Sequence, residues 1–432
     1  MILKVKPACF LRGAVDLPSS KSYSIRAFLI ASLGGSSRIV NPSDCDDAKM
    51  AIAVAKKLGS RVVCLKKNIF QLVSSKTSRI TTPINVGESG TVLRLILPLL
   101  ALRGQKVKVD GYGTLRGRPN TFLIRVLRRM GVQIKGHGSK DSIPIVLKGG
   151  RLRGGRVSID GSLSSQFISA LLTACPNLPE DTSLKITGRK IVSQTYITMT
   201  RQILRQAGIR IIQKDMRHFF IKGRQSFCGL RTFRVPSDYG LAAFFLAAAA
   251  LVDSRITLKG FLTKDFIQSD GQILKFLRAM GVRFRLTERS IDIQGSFPLK
   301  GGEFSLKDSP DLVPIMSILA LFAKGRTRIY DIGHARAKES DRISDLRKEL
   351  LKIGANISES QNEIVIYPQG QYKMNQHLDP HRDHRLAMSF AVLGLKVGCT
   401  VKDIECVSKS YPNFVQDFVK IGANVMKYRK IV

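Results

Sequence analysis

The phrase that decides the fold is LRRMGVQI at residues 127–134, in which a basic helix end is followed by a glycine and then by an alternation of β-branched residues. Glycine tolerates the left-handed conformation that ends many helices, and Lys or Arg in the preceding turn complements the negative end of the helix dipole. Related phrases surround six glycines, at spacings of 68 to 77 residues: Gly59, Gly131, Gly208, Gly281, Gly354 and Gly422. This regularity predicts an internal repeat.

The length of the repeat indicates what each copy contains. A single helix-strand unit of an ordinary parallel α/β sheet takes roughly 30 residues, so repeats of 68 to 77 residues predict several strands and two helices each. The chain of 432 residues is long enough for two domains. We therefore expect three repeats in each domain, with a boundary near residues 230–240.

The composition is that of a globular protein, with 44% hydrophobic and 24% charged residues. The longest apolar run, 241–252, has 12 residues, which is short of the roughly 20 that a membrane-spanning helix needs. The N-terminus lacks the apolar core of a signal peptide. Seven cysteines without a Cys-x-x-Cys motif suggest neither a disulfide framework nor a zinc site. We expect a soluble protein of a reducing cytoplasm.

The charge is the unusual feature, because 70 Lys and Arg against 32 Asp and Glu give a net charge of +38. Such a charge attracts polyanions of every kind. The basic residues are spread along the chain rather than collected in a tail or on one helix, which disfavours specific nucleic-acid binding. An anionic small-molecule substrate, or simply a solvated basic surface, accounts for the charge equally well.

Four candidate sites combine small or charged residues with the start of a helical pattern or with a glycine-rich loop, at residues 17–26, 85–94, 110–119 and 161–166. Serines before a helix are common N-caps, but a helix start also binds phosphate or carboxylate, especially beside cations such as Lys21 and Arg26. Arg116 and Arg118 in the third stretch suit carboxylates and phosphates as bidentate donors, or are merely solvated. Taken singly, each stretch leaves both interpretations open.

A fifth stretch, KESDR at residues 338–342, is expected to open a helix. At helical spacing Lys338 and Arg342 share one face with Glu339, either as a surface ion-pair network or as part of a site. Asp311, near a predicted helix N-terminus, would stay ionised and could act as a base. His384, between charged neighbours, could exchange protons near neutral pH. Together these groups suit a multiply anionic ligand and acid–base chemistry.

An ordered set of motifs extends from Leu17 to Pro412: LPSSKSYSIR, ESGTVLR, LRGRP, DGSLSSQFISALL, the segment 193–196, SPD, KESDR, DHRLAM and KSYP. In order and spacing, the set resembles the 5-enolpyruvylshikimate-3-phosphate synthase family, also called 3-phosphoshikimate 1-carboxyvinyltransferases. The resemblance implies an α/β fold of two domains, an inside-out α/β barrel in which each domain holds three βαβαββ units. It also implies a discontinuous domain I of residues 1–20 and 236–432, a domain II of residues 21–235, and an active site in the interdomain cleft.

The implied reaction transfers the enolpyruvyl group of phosphoenolpyruvate to the 5-hydroxyl of shikimate 3-phosphate through a tetrahedral intermediate and releases phosphate. It belongs to chorismate and aromatic amino-acid biosynthesis and needs no metal or organic cofactor. The implied partners are these two substrates, with no specific nucleic acid and no membrane. We expect a cytoplasmic monomer.

The resemblance also implies roles for individual residues. The residues implied for shikimate 3-phosphate are Lys21, Ser22, Arg26, Ser164, Ser165, Gln166, Ser193, Tyr196, Asp311 and Lys338. Those implied for phosphoenolpyruvate are Lys21, Gly90, Arg118, Gln166, Arg342, Arg385 and Lys409. Asp311 would accept the 5-hydroxyl proton and Glu339 would transfer a proton at the enolpyruvyl methylene, with Lys21 and His384 supporting catalysis. Glu88 stands where many members of the family have asparagine.

Two alternative functions compete with this interpretation. The related enolpyruvyl transferase acting on UDP-N-acetylglucosamine normally carries a reactive cysteine in the loop equivalent to residues 110–119, but no cysteine lies between Cys64 and Cys175. An RNA-binding or RNA-end-processing protein could use the same repeat and the positive surface. It would bind RNA in a salt-dependent manner and release no phosphate from phosphoenolpyruvate.

Overall fold

The computed structural model describes residues 1–75, 80 and 83–429. The chain divides into two compact units. Unit 1 consists of Met1–Pro18 together with Pro236–Val432, and unit 2 is Ser19–Val235. The chain therefore passes from one unit to the other twice, after Pro18 and after Val235.

Both units alternate strands with helices. The strands are β1 (Ile2–Val5), β2 (Phe10–Asp16), β3 (Ser36–Val40), β4 (Arg61–Lys66), β5 (Ile69–Val73), β6 (Ile84–Asn85), β7 (Val107–Asp110), β8 (Gln133–His137), β9 (Ser142–Gly149), β10 (Gly155–Asp160), β11 (Thr182–Thr187), β12 (Ile211–Gln213), β13 (His218–Ile221), β14 (Arg231–Arg234), β15 (Asp253–Lys259), β16 (Phe284–Leu286), β17 (Ser290–Gln294), β18 (Glu303–Ser305), β19 (Thr327–Tyr330), β20 (Asn356–Glu359), β21 (Glu363–Tyr367), β22 (Gln376–Leu378), β23 (Cys399–Val401) and β24 (Val425–Tyr428). The helices are α1 (Lys21–Ala31), α2 (Asp46–Lys57), α3 (Gly90–Ala101), α4 (Thr121–Arg129), α5 (Ser165–Ala174), α6 (Gln194–Gln206), α7 (Tyr239–Leu251), α8 (Ile273–Ala279), α9 (Val313–Leu321), α10 (Ser344–Lys352), α11 (His384–Val397) and α12 (Phe414–Lys420).

Within the described residues these strands form six four-stranded sheets, three in each unit. Every sheet has the same pattern, one parallel pair followed by two antiparallel pairs, as in the order β10-β11-β13-β12. The N-terminal strands complete sheets of unit 1, because β1 lies between β23 and β24 and β2 pairs with β15. The predicted architecture of repeated βαβαββ units is confirmed.

The six glycines of the repeated phrase occupy equivalent places. Each follows the last residue of an even-numbered helix by two positions, and each has a positive φ between 80° and 101°. This is the left-handed region, which only glycine enters without strain. A strand begins within three residues of each glycine. The glycine therefore ends one helix and redirects the chain into the next strand.

The odd-numbered helices form the interior. In unit 1, helices α7, α9 and α11 pack against one another, and every residue of α7 and α9 is buried. The apolar run at 241–252 therefore lies almost wholly within a buried core helix, as a hydrophobic surface on all sides of a short helix indicates. No helix in the described ranges is long and apolar enough to cross a membrane.

One local expectation is wrong. KESDR is predicted to open a helix, but α10 begins at Ser344, and Lys338 has a non-helical ψ of −149°. Asp341 instead accepts hydrogen bonds from the backbone N–H groups of Ile343 and Ser344, which lets it cap the helix start. Lys338 and Arg342 therefore do not share a helical face.

A cluster of aromatic rings holds α7 to the C-terminal part of unit 1. Phe245 lies with its ring centroid 6.0 Å from Tyr411, 6.0 Å from Phe414 and 6.3 Å from Phe418. Phe245 is fully buried, and its edge-to-face pairs with Phe414 and Phe418 add to the stabilisation that burial already gives.

Phe245→Ala is expected to lower the free energy of unfolding by about 3–5 kcal/mol, because it removes a buried ring and leaves a cavity. Urea unfolding of the full chain measures the loss. Phe220→Ala is the matched control, since Phe220 is 42% exposed on β13. Equal stability losses in the two variants would contradict the assignment of Phe245 to the core.

Candidate active-site clusters

Predicted site residues occur in both units. The central group of unit 1 is the guanidinium of Arg342, which is only 1% exposed. Its Nη1 donates to Asp311 Oδ1 at 2.5 Å, its Nη2 to Glu339 Oε2 at 3.0 Å and its Nε to Asp383 Oδ2 at 2.7 Å. A buried charge is tolerated only when it is paired and hydrogen-bonded. Three carboxylates satisfy that condition for Arg342.

Asp311 is the carboxylate on which the cations converge. It lies 3.5 Å from Lys338 Nζ and 3.5 Å from Arg385 Nη2, in addition to the contact with Arg342. Burial alone would raise the pKa of Asp311, but Lys338, Arg342 and Arg385 together hold that pKa well below its ordinary value. Asp311 is therefore ionised at neutral pH, and its side chain keeps 20% of its surface exposed, enough to contact a ligand.

Glu339 is the second acid shared by several cations. Its Oε2 accepts from Arg342 and its Oε1 lies 3.7 Å from Lys409 Nζ. Both Glu339 and Lys409 are buried to more than nine-tenths. The buried Arg342 is fully protonated, because Asp383, Asp311 and Glu339 raise its pKa well above the ordinary value despite the opposing effect of burial. Unit 1 thus brings together six predicted residues: Asp311, Lys338, Glu339, Arg342, Arg385 and Lys409.

His384 lies beside this cluster, at the first position of α11, and is 1% exposed. Its Nδ1 is 4.0 Å from Asp383 Oδ1. Asp383 caps α11 by accepting the backbone N–H of Arg385 at 2.8 Å. His334, a neighbouring buried histidine, has its pKa lowered to about 3 by burial and by Lys338, so it is neutral.

In unit 2, the start of α1 carries three predicted residues. Lys21 pairs with the buried carboxylate of Asp47 at 3.2 Å. Arg26, 1% exposed, donates to Thr200 Oγ1 at 2.8 Å and to the carbonyl of Ser22 at 3.1 Å. Burial lowers the pKa of Arg26 to about 10, so it stays protonated at neutral pH.

A hydrogen-bonded chain links three helices near Arg26. The Thr200 hydroxyl on α6 lies 2.9 Å from the Ser169 hydroxyl on α5. The Arg26 guanidinium lies 5.6 Å from the ring centroid of Tyr196, also on α6, within the range of a cation–π contact. Ser193 holds the N-cap position of α6 in a left-handed conformation, with φ of 54°. The structure therefore brings Ser22, Arg26 and Tyr196 together.

The starts of α3 and α5 form another group in unit 2. Ser164 caps α5 by accepting the N–H of Gln166 at 3.3 Å, and Ser165 is the first residue of that helix. Gln166 accepts from Arg94 Nη1 at 2.8 Å and donates to Thr91 Oγ1 at 2.9 Å. The amide of Gln166 is thereby fixed between α3 and α5.

Gly90 is the first residue of α3 and lies directly against Arg118. A Cβ at Gly90 would stand 2.8 Å from Arg118 Nη1, so a side chain at this position would displace the guanidinium from its place against α3. Arg118 itself is 5% exposed. Glu88 anchors the loop that leads to Arg118, because its carboxylate accepts the N–H of Thr114 at 3.1 Å and occupies the space beside Gly113. Glu88 thus holds this loop in place.

Sequence reasoning missed several buried charged residues that hold the predicted ones, among them Asp47, Arg94 and Asp383. Arg94 and Asp383 lie within the quoted motifs, and a charge inside an apolar helix or directly before one is the signal that could have found them. The sequence did not single out Asp47, since two acidic residues in the first turn of α2 are explained by their favourable interaction with the helix dipole. In the part of the chain that the structure describes, no group of three or more His, Cys, Asp or Glu is arranged to hold a metal ion.

Comparison with known proteins gives consistent matches along almost the whole chain. A family model described as EPSP synthase (3-phosphoshikimate 1-carboxyvinyltransferase) matches residues 5–418. A 3-phosphoshikimate 1-carboxyvinyltransferase of Methanosarcina mazei is 36% identical over 96% of this chain and 96% of its own length. That of Methanocaldococcus jannaschii is 34% identical over 98% and 99%.

Solved structures share the fold. The structure of an EPSP synthase from Acinetobacter baumannii has a TM-score of 0.80 and 24% identity, covering 99% of this chain and 100% of that chain. The enolpyruvyl transferase NikO from Streptomyces tendae has a TM-score of 0.79 and 18% identity, covering 98% of both chains. At these identities the likeness concerns the fold alone.

Asp383→Ala is expected to lower the free energy of unfolding by about 3–5 kcal/mol, because it leaves the buried Arg342 without one of its carboxylates. It also removes the cap of α11, whereas Asp383→Asn keeps an oxygen that can cap and should lose less. Chemical unfolding of the two variants measures the difference. Asp253→Ala, at an exposed position that begins β15, is the control; an Asp383→Ala variant as stable as this control would exclude the described role.

Proposed function

The chain belongs to the EPSP synthase family, and on that premise we propose which of its residues carry out the 3-phosphoshikimate 1-carboxyvinyltransferase reaction. The 5-hydroxyl oxygen of shikimate 3-phosphate forms a bond to the central carbon of phosphoenolpyruvate, and a proton adds to the methylene carbon. The tetrahedral intermediate then expels phosphate and loses a proton from the new methyl group. The products are 5-enolpyruvylshikimate 3-phosphate, an intermediate on the way to aromatic amino acids, and phosphate.

The observation that carries the proposal is the convergence of Lys338, Arg342, Arg385 and Lys409 on two acids, Asp311 and Glu339. Phosphoenolpyruvate carries a phosphate and a carboxylate, and arginine side chains bind both groups through paired N–H donors. The acids beside these cations supply the proton transfers that the reaction needs. Binding groups and acid–base groups thus come from one cluster of unit 1.

Asp311 is the base that accepts the 5-hydroxyl proton. Its low pKa makes it a weak base as long as Lys338, Arg342 and Arg385 all face it. Phosphoenolpyruvate bound to the two arginines adds negative charge beside Asp311, which raises the affinity of the carboxylate for a proton. Substrate binding thereby brings Asp311 closer to the basicity that general-base catalysis requires.

Glu339 transfers the proton at the methylene carbon, with Lys409 and Arg342 controlling its charge. His384 supports this chemistry from its place beside Asp383. Lys338 assists Asp311 at the 5-hydroxyl. These roles follow from family membership and from the contacts of each side chain.

Unit 2 supplies the remaining ligands. The starts of α1, α5 and α6 provide the groups for shikimate 3-phosphate, because hydroxyls, backbone N–H groups and buried cations meet there and suit a phosphate. The residues proposed for shikimate 3-phosphate are Lys21, Ser22, Arg26, Ser164, Ser165, Gln166, Ser193 and Tyr196. Those proposed for phosphoenolpyruvate are Lys21, Gly90, Arg118 and Gln166, with Arg342, Arg385 and Lys409 of unit 1.

The chain is proposed to work as a cytoplasmic monomer without a specific nucleic-acid partner. Its seven cysteines, all in the described ranges, form no disulfide, which is typical of proteins from a reducing compartment. Burial raises the pKa of the Cys175 and Cys399 thiols to about 12, so these two side chains are inert.

Purified protein is expected to release phosphate from phosphoenolpyruvate only when shikimate 3-phosphate is present. A colorimetric phosphate assay with each substrate alone and with both together measures this dependence. UDP-N-acetylglucosamine in place of shikimate 3-phosphate is the control for the related transferase. Folded protein that releases no phosphate with both substrates would overturn the proposed function.

Asp311→Asn is expected to lower kcat by about 10²–10⁴-fold, the usual contribution of a positioned general base, while the affinity for shikimate 3-phosphate changes little. Because the pKa of Asp311 lies well below its ordinary value, the loss should appear at every pH from about 5 to 9. Steady-state kinetics and equilibrium binding measure the two effects. Asp308→Asn, three residues earlier, is the matched control, and wild-type turnover in Asp311→Asn would remove Asp311 from the mechanism.

A further inference from the structure

A second buried aspartate of unit 1, Asp270, contacts Arg385. It lies in the 3₁₀ turn Ser269–Gln272 before α8 and is 5% exposed. Its Oδ2 is 3.8 Å from Arg385 Nη2. Its Oδ1 is buried and accepts no hydrogen bond from the residues that the structure describes. A buried carboxyl group with an oxygen that accepts no hydrogen bond is costly to keep ionised.

Gly240, near the start of α7, makes this contact possible. A Cβ at position 240 would stand 2.3 Å from Asp270 Oδ2 and 3.0 Å from Arg385 Nη1. The carbonyl of Gly240 also accepts a hydrogen bond from Arg385 Nη1 at 2.6 Å. The absence of a side chain thus lets Asp270 and Arg385 meet, and the Arg385 guanidinium is held by a carbonyl and by two carboxylates, those of Asp270 and Asp311.

The two carboxylates that share Arg385 differ in their ionisation. The pKa of Asp270 is raised to about 7 by burial and by the charges of Asp311 and Asp238, against the opposing effects of Arg385 and Lys338. These four groups come from the neighbouring parts of unit 1: the N-cap of α7, the 3₁₀ turn Pro310–Leu312, the 333–338 segment and α11. The pKa of Asp311 is shifted in the opposite direction. Asp270 is therefore the carboxylate that takes up a proton first when negative charge is added nearby.

We propose that Asp270 is a positioning residue that orients the Arg385 guanidinium and takes up one proton from solvent when phosphoenolpyruvate binds to Arg385. The inference rests on the proposed role of Arg385. The phosphate and carboxylate of phosphoenolpyruvate bring negative charge next to Asp270, and like charges favour the protonated form of a carboxyl group. Ionised Asp270 competes with phosphoenolpyruvate for Arg385, whereas protonated Asp270 does not.

The sign of the pH dependence follows from this competition. Below a pH of about 7, Asp270 of the free protein already holds its proton, so phosphoenolpyruvate binds without a protonation cost. Above that pH, each further pH unit lowers kcat/KM for phosphoenolpyruvate by up to about tenfold, since Asp270 must take a proton from solvent. At saturating phosphoenolpyruvate the proton is already bound, so kcat does not carry this dependence.

The test compares kcat/KM for phosphoenolpyruvate in wild type and in Asp270→Asn between pH 6 and pH 8, at saturating shikimate 3-phosphate. The ionisation of the substrates is common to both proteins and cancels in the ratio of wild type to variant. That ratio is expected to fall about tenfold over this range, while the ratio of kcat values stays constant. A fall of at least threefold in the kcat/KM ratio supports the proposal, and a smaller change overturns it.

Two further variants separate a specific effect from a general one. Asp265→Asn removes a carboxylate from the exposed part of the same loop, and its ratio to wild type should not depend on pH. Asp270→Ser also lacks a titrating group, and it serves if Asp270→Asn does not fold. Wild-type phosphate release that depends on shikimate 3-phosphate, together with a flat ratio for Asp270→Asn, would reject this inference and leave the proposed function standing.

Discussion

The buried guanidinium of Arg342 is the group around which the chemistry of unit 1 is organised. Removing this charge from water costs several kcal/mol, and the cost is met only because Asp311, Glu339 and Asp383 surround it. Each of these carboxylates then serves a second purpose. Asp311 also pairs with Lys338 and Arg385, and Glu339 also pairs with Lys409. Asp383 caps α11, the helix that carries Arg385. The arrangement is a network, so the loss of one member leaves a buried charge uncompensated.

The repeat explains why the candidate residues gather where they do. Each four-stranded sheet contains one parallel pair of strands. In four sheets an odd-numbered helix connects the two strands of that pair, and in the other two sheets α1 leads into β3 and α7 leads into β15. Candidate residues occur at or next to the starts of these helices, as with Lys21 on α1, Gly90 on α3, Ser165 on α5 and Arg385 on α11. Helix starts present free N–H groups and a positive potential, which suit phosphates and carboxylates. The repeat thus supplies several such starts in each unit.

The local charge balance of unit 1 contrasts with the large positive charge of the whole chain. The cations Lys338, Arg342, Arg385 and Lys409 face the acids Asp270, Asp311, Glu339 and Asp383, so the cluster itself is close to neutral. An anionic substrate must compete with these carboxylates for the cations, and that competition can shift their protonation. The net charge of +38 belongs to the whole chain and attracts anions, but it is not concentrated in this cluster.

The sequence by itself determined the repeat, because glycine at a left-handed helix end is a local signal that recurs in every copy. It also indicated helix starts in unit 2, where a serine precedes each of α1, α3 and α5. It also predicted Asp311, Glu339 and Arg342 as site residues through ordered motifs, and the structure places these three side chains in contact. It was wrong about how Lys338 and Arg342 meet, since they converge on Asp311 from an irregular segment and not along a helix face. Only the tertiary structure decided which buried charges pair, as with Asp270 and Arg385. This contact joins residues more than one hundred positions apart, and the strength of such a contact depends on burial, which no local pattern encodes.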